Sequence, residues 1–116
     1  MVKLESLKKS NQFKKALKEK KIHTDYFSIF AAKNFIEPKK KTNLLISFVM
    51  KKKIGNAVKR NKIRRKLKAI VQKLLKKRGA IKKDYTYIVF GKSNAYAQKQ
   101  NVLLPLMEKS FSKLQK

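Results

Sequence analysis

The chain has no cysteine, no tryptophan, a single histidine and only 6 acidic residues. Without cysteine, neither a disulfide framework nor a cysteine–zinc site can form. The acids (Glu5, Glu19, Asp25, Glu37, Asp84 and Glu108) are scattered singly, and His23 is the only imidazole. Hydrolysis assisted by a protein-held metal needs several carboxylates or histidines converging on one site. No Ser-His-Asp, Cys-His or paired-carboxylate pattern is present either. The sequence therefore offers no catalytic residue and no metal ligand, and His23 reads as an exposed loop residue between a helix and a strand. Glycine is scarce, 3 in all, and Gly55 lacks the Gly-rich spacing of a phosphate loop. No apolar run approaches the ~20 residues of a membrane span. Residues 1–7 carry no long apolar stretch and no cleavage pattern, so a cytoplasmic location is expected.

What the chain has in abundance is positive charge. Lys and Arg number 33 against 6 Asp and Glu, a formal net charge of +27. Such a balance opposes compaction through self-repulsion, and a phosphate-rich partner relieves it by releasing condensed counterions. A membrane surface would favour an amphipathic helix bearing Trp or several Phe, so nucleic acid is the better fit. At 116 residues and 42% hydrophobic content, the chain 1–116 reads as one domain with a modest core. Among so many lysines, the four arginines (Arg60, Arg64, Arg65 and Arg78) are the more informative cations.

Ser10 reads as an N-cap, with Phe13, Ala16 and Leu17 following on one helical face. The spacing predicts a short helix over 11–20, with Lys18, Lys20 and Lys21 near its end suiting the dipole. Residues 26–32 read as a strand, with Phe27, Ile29 and Ala31 on one face and Tyr26, Ser28 and Phe30 on the other. The polar break Glu37-Pro38-Lys39-Lys40-Lys41 reads as a hairpin connection to a nearly continuous apolar strand over 44–50. Gly55 and Asn56 mark the turn into a long helix over 57–77 that ends near Gly79. Helical periodicity places Ile63, Leu67, Ile70, Val71 and Leu74 on one stripe, and Asn61, Arg65, Lys68 and Gln72 on the opposite side. Over 85–90, Tyr85, Tyr87 and Val89 alternate with Thr86, Ile88 and Phe90. A last helix over 101–114 carries Val102, Leu103, Leu106, Met107, Phe111 and Leu114, with Pro105 tolerable only in its first turn. Helix, strands, helix, strand, helix is the order of an α+β sandwich.

The densest chemistry lies in 52–68, where a glycine turn leads into an amphipathic basic helix suited to lie along a polyanion. Lys59, Lys62 and Lys66, taken singly, read as solvated charge. Asn61, Arg65 and Lys68 share one face at i, i+4 and i+7, where Arg offers a planar donor fork and Asn both donor and acceptor. Lys52 and Lys53, just before the turn, are placed for phosphate contacts. Phe13, Leu17, Phe27 and Phe30 read first as core. Yet Tyr26 and Phe30 share a strand face that can offer stacking area to unpaired bases.

The stretch 52–68 resembles the signature of the protein subunit of bacterial ribonuclease P. That family's Lys-x-x-Gly-x-Ala-Val-x-Arg-Asn-x-x-x-Arg core is matched by Lys52 or Lys53, Gly55, Ala57, Val58, Arg60, Asn61 and Arg65. Leu7-Lys8-Lys9 followed by Phe13 resembles its N-terminal helix, and Asp84-Tyr85 its last strand. Lys62 and Lys68 stand where the family often has arginine, and Leu17 where a second aromatic is frequent.

The resemblance implies a ribonucleoprotein that removes the 5′ leader of precursor tRNA, with catalytic Mg2+ held mainly by the RNA subunit. It implies RNA contacts from Lys52, Lys53, Asn56, Arg60, Asn61, Lys62, Arg64, Arg65 and Lys68. It also implies a leader cleft formed by Phe13, Leu17, Tyr26 and Phe30. The expected partners are ribonuclease P RNA and precursor tRNA, with no membrane and one protein per RNA. The implied strand–helix–strand crossover is left-handed, against the usual rule. A structural rRNA-binding ribosomal protein is the main alternative, which the motif spacing disfavours. A DNA-reading helix protein is the second, weakened because no partner helix directly precedes the basic one.

Overall fold

Largely apolar residues make the three interior strands of a sheet, and the helices pack around them. A computed structural model of the chain describes residues 3–33, 38–40, 42–77, 79–82 and 84–114. Strands β1 (Leu4–Glu5), β2 (Lys20–His23), β3 (Phe27–Lys33), β4 (Leu44–Val49) and β5 (Tyr85–Gly91) form one sheet, ordered β1-β4-β5-β3-β2. β5 is antiparallel to β3 and parallel to β4, while β2 and β1 close the two edges. Three helices complete the fold: α1 (Ser10–Ala16), α2 (Ala57–Leu75) and α3 (Gln100–Leu114). The molecule is an α+β sandwich in which α2 and α3 cover one sheet face and α1 the other.

The face under α2 and α3 holds the larger core. Ile63, Leu67, Ile70, Val71 and Leu74 of α2 are all fully buried against Phe27, Ile29, Ile46, Tyr87 and Val89. Each such side chain contributes about 1.5–3 kcal/mol on burial, so this stripe dictates the rotation of α2. On the other face Leu7, Ala16, Ala32 and Ile88 form a smaller cluster, edged by half-buried Phe13, Leu17, Phe30, Val49 and Phe90.

Several expectations are corrected. The connection between β3 and β4 is not a hairpin, because β5 inserts between them; of that polar break, Glu37 and Lys41 lie outside the described residues, as does Arg78. The first helix stops at Ala16, and Lys20–His23 leaves it to become the edge strand β2. Its single apolar residue, Ile22, gave no usable alternation, and the lysines suit an edge that must not attract another strand. Ser10 lies inside α1 rather than capping it. The cap position is Lys9, whose N–H donates to Oε1 of Gln12. Tyr26 precedes β3 and packs with Phe27 against the larger core, not on the face of Phe30. Pro105 is the sixth residue of α3 and not in its first turn. It is exposed, as is Asn101, so the carbonyl that its missing N–H leaves behind is open to water.

Gly91 ends β5, packed closely against Met50 and Ile63. A Cβ there would lie 2.4 Å from Met50 Sδ and 2.9 Å from Ile63 Cγ2. We expect Gly91→Ala to destabilise the fold by about 1–3 kcal/mol, as overpacking does. Adding Met50→Ala should recover part of the loss in thermal melts, because it vacates the clashing volume. A Gly91→Ala protein that melts like wild type would mean that this contact yields freely.

Candidate nucleic-acid interface

The basic helix begins with two devices readable in the sequence. Gly55 has φ +151°, and a Cβ on it would stand 3.0 Å from Lys59 Cδ, so the turn requires glycine. Asn56 is the N-cap: its Oδ1 accepts from the Lys59 N–H at 3.0 Å. Its carbonyl oxygen thus serves the helix, and only its amide N–H groups are left for a ligand. The buried stripe then turns Asn61, Arg65, Lys68 and Gln72 fully outward. Arg64 Nη1 donates to Asn61 Oδ1 at 2.7 Å, which couples these two residues across one turn. Arg60 is half-buried, and its Nε is covered without a hydrogen-bond partner among the described residues. Val58 is 72% exposed beside this face. Lys52 and Lys53 sit in a 3-10 turn ahead of the helix N-terminus, both exposed. Their charges add to the positive end of the helix dipole.

The remaining lysines of α2 point elsewhere. Lys59 and Lys62 hold their ammonium groups 5.3 and 4.9 Å from the ring centroid of Tyr96. Lys59 also donates to Ser93 Oγ at 2.9 Å. Of the residues implied to bind RNA, Lys62 therefore faces the loop after β5, whereas Asn61, Arg64, Arg65 and Lys68 form one outward patch.

A second surface lies on the sheet face that α1 leaves uncovered. Strand register aligns Val49, Phe90, Ser28 and His23 as one row across β4, β5, β3 and β2. Phe30 stands in the next row. Over them opens a cleft of about 630 Å³, walled by Leu17 at the end of α1 and rimmed by Lys51, Lys53 and Lys92. The Phe30 and Phe90 rings meet edge to face at 5.4 Å, and His23 meets Phe30 the same way at 5.8 Å. His23 Nδ1 lies 2.7 Å from Ser28 Oγ, which orients the imidazole. Lys51 Nζ sits 5.7 Å from the Phe90 centroid. The lining also includes Asp25, but an aromatic floor beside three lysines can stack unpaired bases while the excess positive charge neutralises their phosphates.

Of the four residues implied for a cleft, Leu17 and Phe30 line it. Phe13 lies in the adjoining apolar cluster. Tyr26 lies on the opposite side, with its Oη accepting from Gln98 Nε2 at 3.0 Å. Sequence reasoning missed Lys51, Lys92, His23 and Phe90 as cleft residues. Alternation did place Phe90 opposite Tyr87 and Val89, but only the register with β3 brings it beside Phe30. His23 is not a loop residue: it is the last residue of β2, paired with Ser28.

Three of the acids serve structure. Glu5 accepts from Asn43 Nδ2 and the Lys39 N–H, and these bonds hold its carboxyl below the usual range. Glu19 accepts from the Lys33 N–H, and Glu108 pairs with Lys77 at 3.0 Å. Among the described residues no group of three or more His, Cys, Asp or Glu could hold a metal ion.

Comparison with known proteins agrees with this fold. The family model described as Ribonuclease P matches residues 1–115. The solved ribonuclease P protein of Thermotoga maritima is 23% identical, with TM-score 0.66, covering 90% of this chain and 96% of that one. That of Staphylococcus aureus is 22% identical, with TM-score 0.64, covering 95% and 91%. A Staphylococcus aureus mutant protein described as defective in mRNA degradation is 21% identical, with TM-score 0.65, covering 94% and 83%. Among curated protein sequences nothing matches.

Because Asn56 caps α2, Asn56→Ala should lower stability by about 0.5–2 kcal/mol, with Asn56→Asp close to wild type. Chemical denaturation of the free protein measures this. Equal loss from both substitutions would show that the amide, not the acceptor oxygen, is what matters at this position.

Proposed function

The chain belongs to the ribonuclease P protein family, and from that membership we propose how its two surfaces divide the work of leader removal. It is the non-catalytic protein subunit of the ribonucleoprotein that removes the 5′ leader of precursor tRNA. Its partners are the ribonuclease P RNA and the precursor. Nothing supports the ribosomal alternative.

In our reading, the outward patch of Asn61, Arg64, Arg65 and Lys68, with Lys52 at its approach, binds the RNA subunit. The cleft over Phe30 and Phe90 receives the single-stranded leader, with Lys51, Lys53 and Lys92 against its phosphates. The observation that carries this division is the cleft itself: an aromatic floor with a lysine rim, separate from the basic patch yet adjoining its helix. The patch has planar and directional donors suited to a folded RNA backbone. The cleft has stacking surface, which favours unpaired nucleotides.

Magnesium belongs to the RNA in this scheme. The carboxylates of this chain are few, with those of Glu5, Glu19 and Glu108 engaged by its own donors, and a net charge of +27 repels cations. The protein's contribution is to offset phosphate repulsion between RNA subunit and substrate, which lowers the ionic requirement of the reaction. We further propose one protein per RNA, acting in the cytoplasm. No helix among the described residues is long and apolar enough to cross a membrane.

Reconstitution with a bacterial ribonuclease P RNA tests the scheme. The protein should stimulate leader removal at low magnesium, and none should occur with rigorously RNA-free protein. Arg65→Ala should weaken assembly with the RNA subunit by about 1.5–3 kcal/mol, as loss of a charged hydrogen bond does. Phe30→Ala should instead weaken precursor binding, by about 1–3 kcal/mol, and leave mature tRNA unaffected. Melting is measured in parallel, since a buried Phe lost from a core costs about 3–5 kcal/mol. Equal weakening of precursor and mature tRNA would remove Phe30 from leader recognition.

A further inference from the structure

The loop after β5 lines the cleft and packs against the flank of α2, and one side chain of that helix holds it. Lys66 Nζ donates to the carbonyl oxygens of Ala95, Tyr96 and Gln98 at 2.9, 2.8 and 2.7 Å. An ammonium has three N–H donors, so all are engaged within the protein. On its other side the same loop is tied to the turn before β3. Asn94 Nδ2 donates to the Asp25 carbonyl at 3.2 Å, and Gln98 Nε2 to Tyr26 Oη at 3.0 Å. Ser93 and Asn94 themselves line the cleft.

Three carbonyls whose oxygens converge on one point repel each other unless a cation sits between them. Without it they are left partly buried and short of a partner, which favours a different loop path. A lysine suits this position better than an arginine. Its compact ammonium directs three donors to separate oxygens, whereas a guanidinium is a planar fork. Lys66 is half-buried, and burial, aided by the charge of Lys62, holds its pKa below the ordinary lysine value.

We propose that Lys66 is a positioning residue for leader recognition: it gathers three carbonyls of the 93–98 loop and thereby fixes the cleft rim against the RNA-binding helix. It is not itself an RNA contact, although it lies within the basic run. The proposal rests on the reading of the cleft as the leader site.

The test compares Lys66→Met, Lys66→Arg and Phe30→Ala holoenzymes for affinity toward precursor and mature tRNA, alongside assembly with the RNA subunit. Both Lys66 variants should lose about 3–30-fold in precursor-over-mature discrimination, the range of positioning couplings. Their assembly constants should stay within about twofold of wild type. If Lys66→Arg behaves as wild type while Lys66→Met assembles poorly, Lys66 acts through its charge on RNA and the proposal is overturned. If Phe30→Ala loses discrimination and the Lys66 variants do not, the proposal fails while the leader reading stands. If none of the three loses discrimination, both fail. Should Lys66→Met not fold, the Lys66→Arg comparison still decides the matter. It is paired with the nitrogen-15 spectrum of the wild-type lysine ammonium groups. A slowly exchanging ammonium signal of the wild type should vanish in Lys66→Arg; if no such signal is lost, the proposal is overturned.

Discussion

The apolar stripe of α2 against β4 and β5 is the constraint on which the rest of the molecule depends. Ile63, Leu67, Ile70, Val71 and Leu74 leave the helix one rotation about its axis, since any other exposes several of them to water. That rotation sends Asn61, Arg65 and Lys68 outward and sets Lys59, Lys62 and Lys66 along the flank facing the loop after β5. A chain with a net charge of +27 has cations everywhere. The stripe is what sorts them into a patch that can meet RNA and a column that holds the protein together.

The cleft follows from unequal cover on the two sheet faces. One face lies under α2 and α3, of 19 and 15 residues, and its core is continuous. The other, among the described residues, has only α1, of 7 residues. A helix of that length is roughly 10 Å long, whereas a strand of equal residue count runs roughly 23 Å. The uncovered end of the sheet keeps Phe30 and Phe90 half-buried beside a lysine rim. The cleft thus lies where, among the described residues, this sheet face has no second helix, which leaves its half-buried aromatics open on that side.

The two surfaces are mechanically joined. The loop from Lys92 to Lys99 is tied to α2 by Lys59 and Lys66, and to the turn before β3 through Asn94 and Gln98. In the proposed division of work such a tie matters, because relative motion between the two surfaces would blur the position of a bound leader. Exposed lysines could not supply it, being strongly hydrated and mobile.

Sequence alone determined what local periodicity and spacing encode. The stripe of α2, the alternation in β3 and β5, the Gly55 turn with its Asn56 start, and the family-specific order of Gly55, Ala57, Val58, Arg60, Asn61 and Arg65 were all legible. Each depends on residues within a few positions of one another. The β3–β4 hairpin was misread because strand pairing is a long-range choice: the chain gives no local sign that β5 will insert between them. The edge strands escaped notice because one of them has 2 residues and the other a single apolar side chain. The cleft likewise needed tertiary structure, since Phe90 and His23 join Phe30 only through strand register. Lys66 marks the same boundary most sharply. In sequence it is one lysine among many, and only the return of the 93–98 loop brings it three carbonyls to bind.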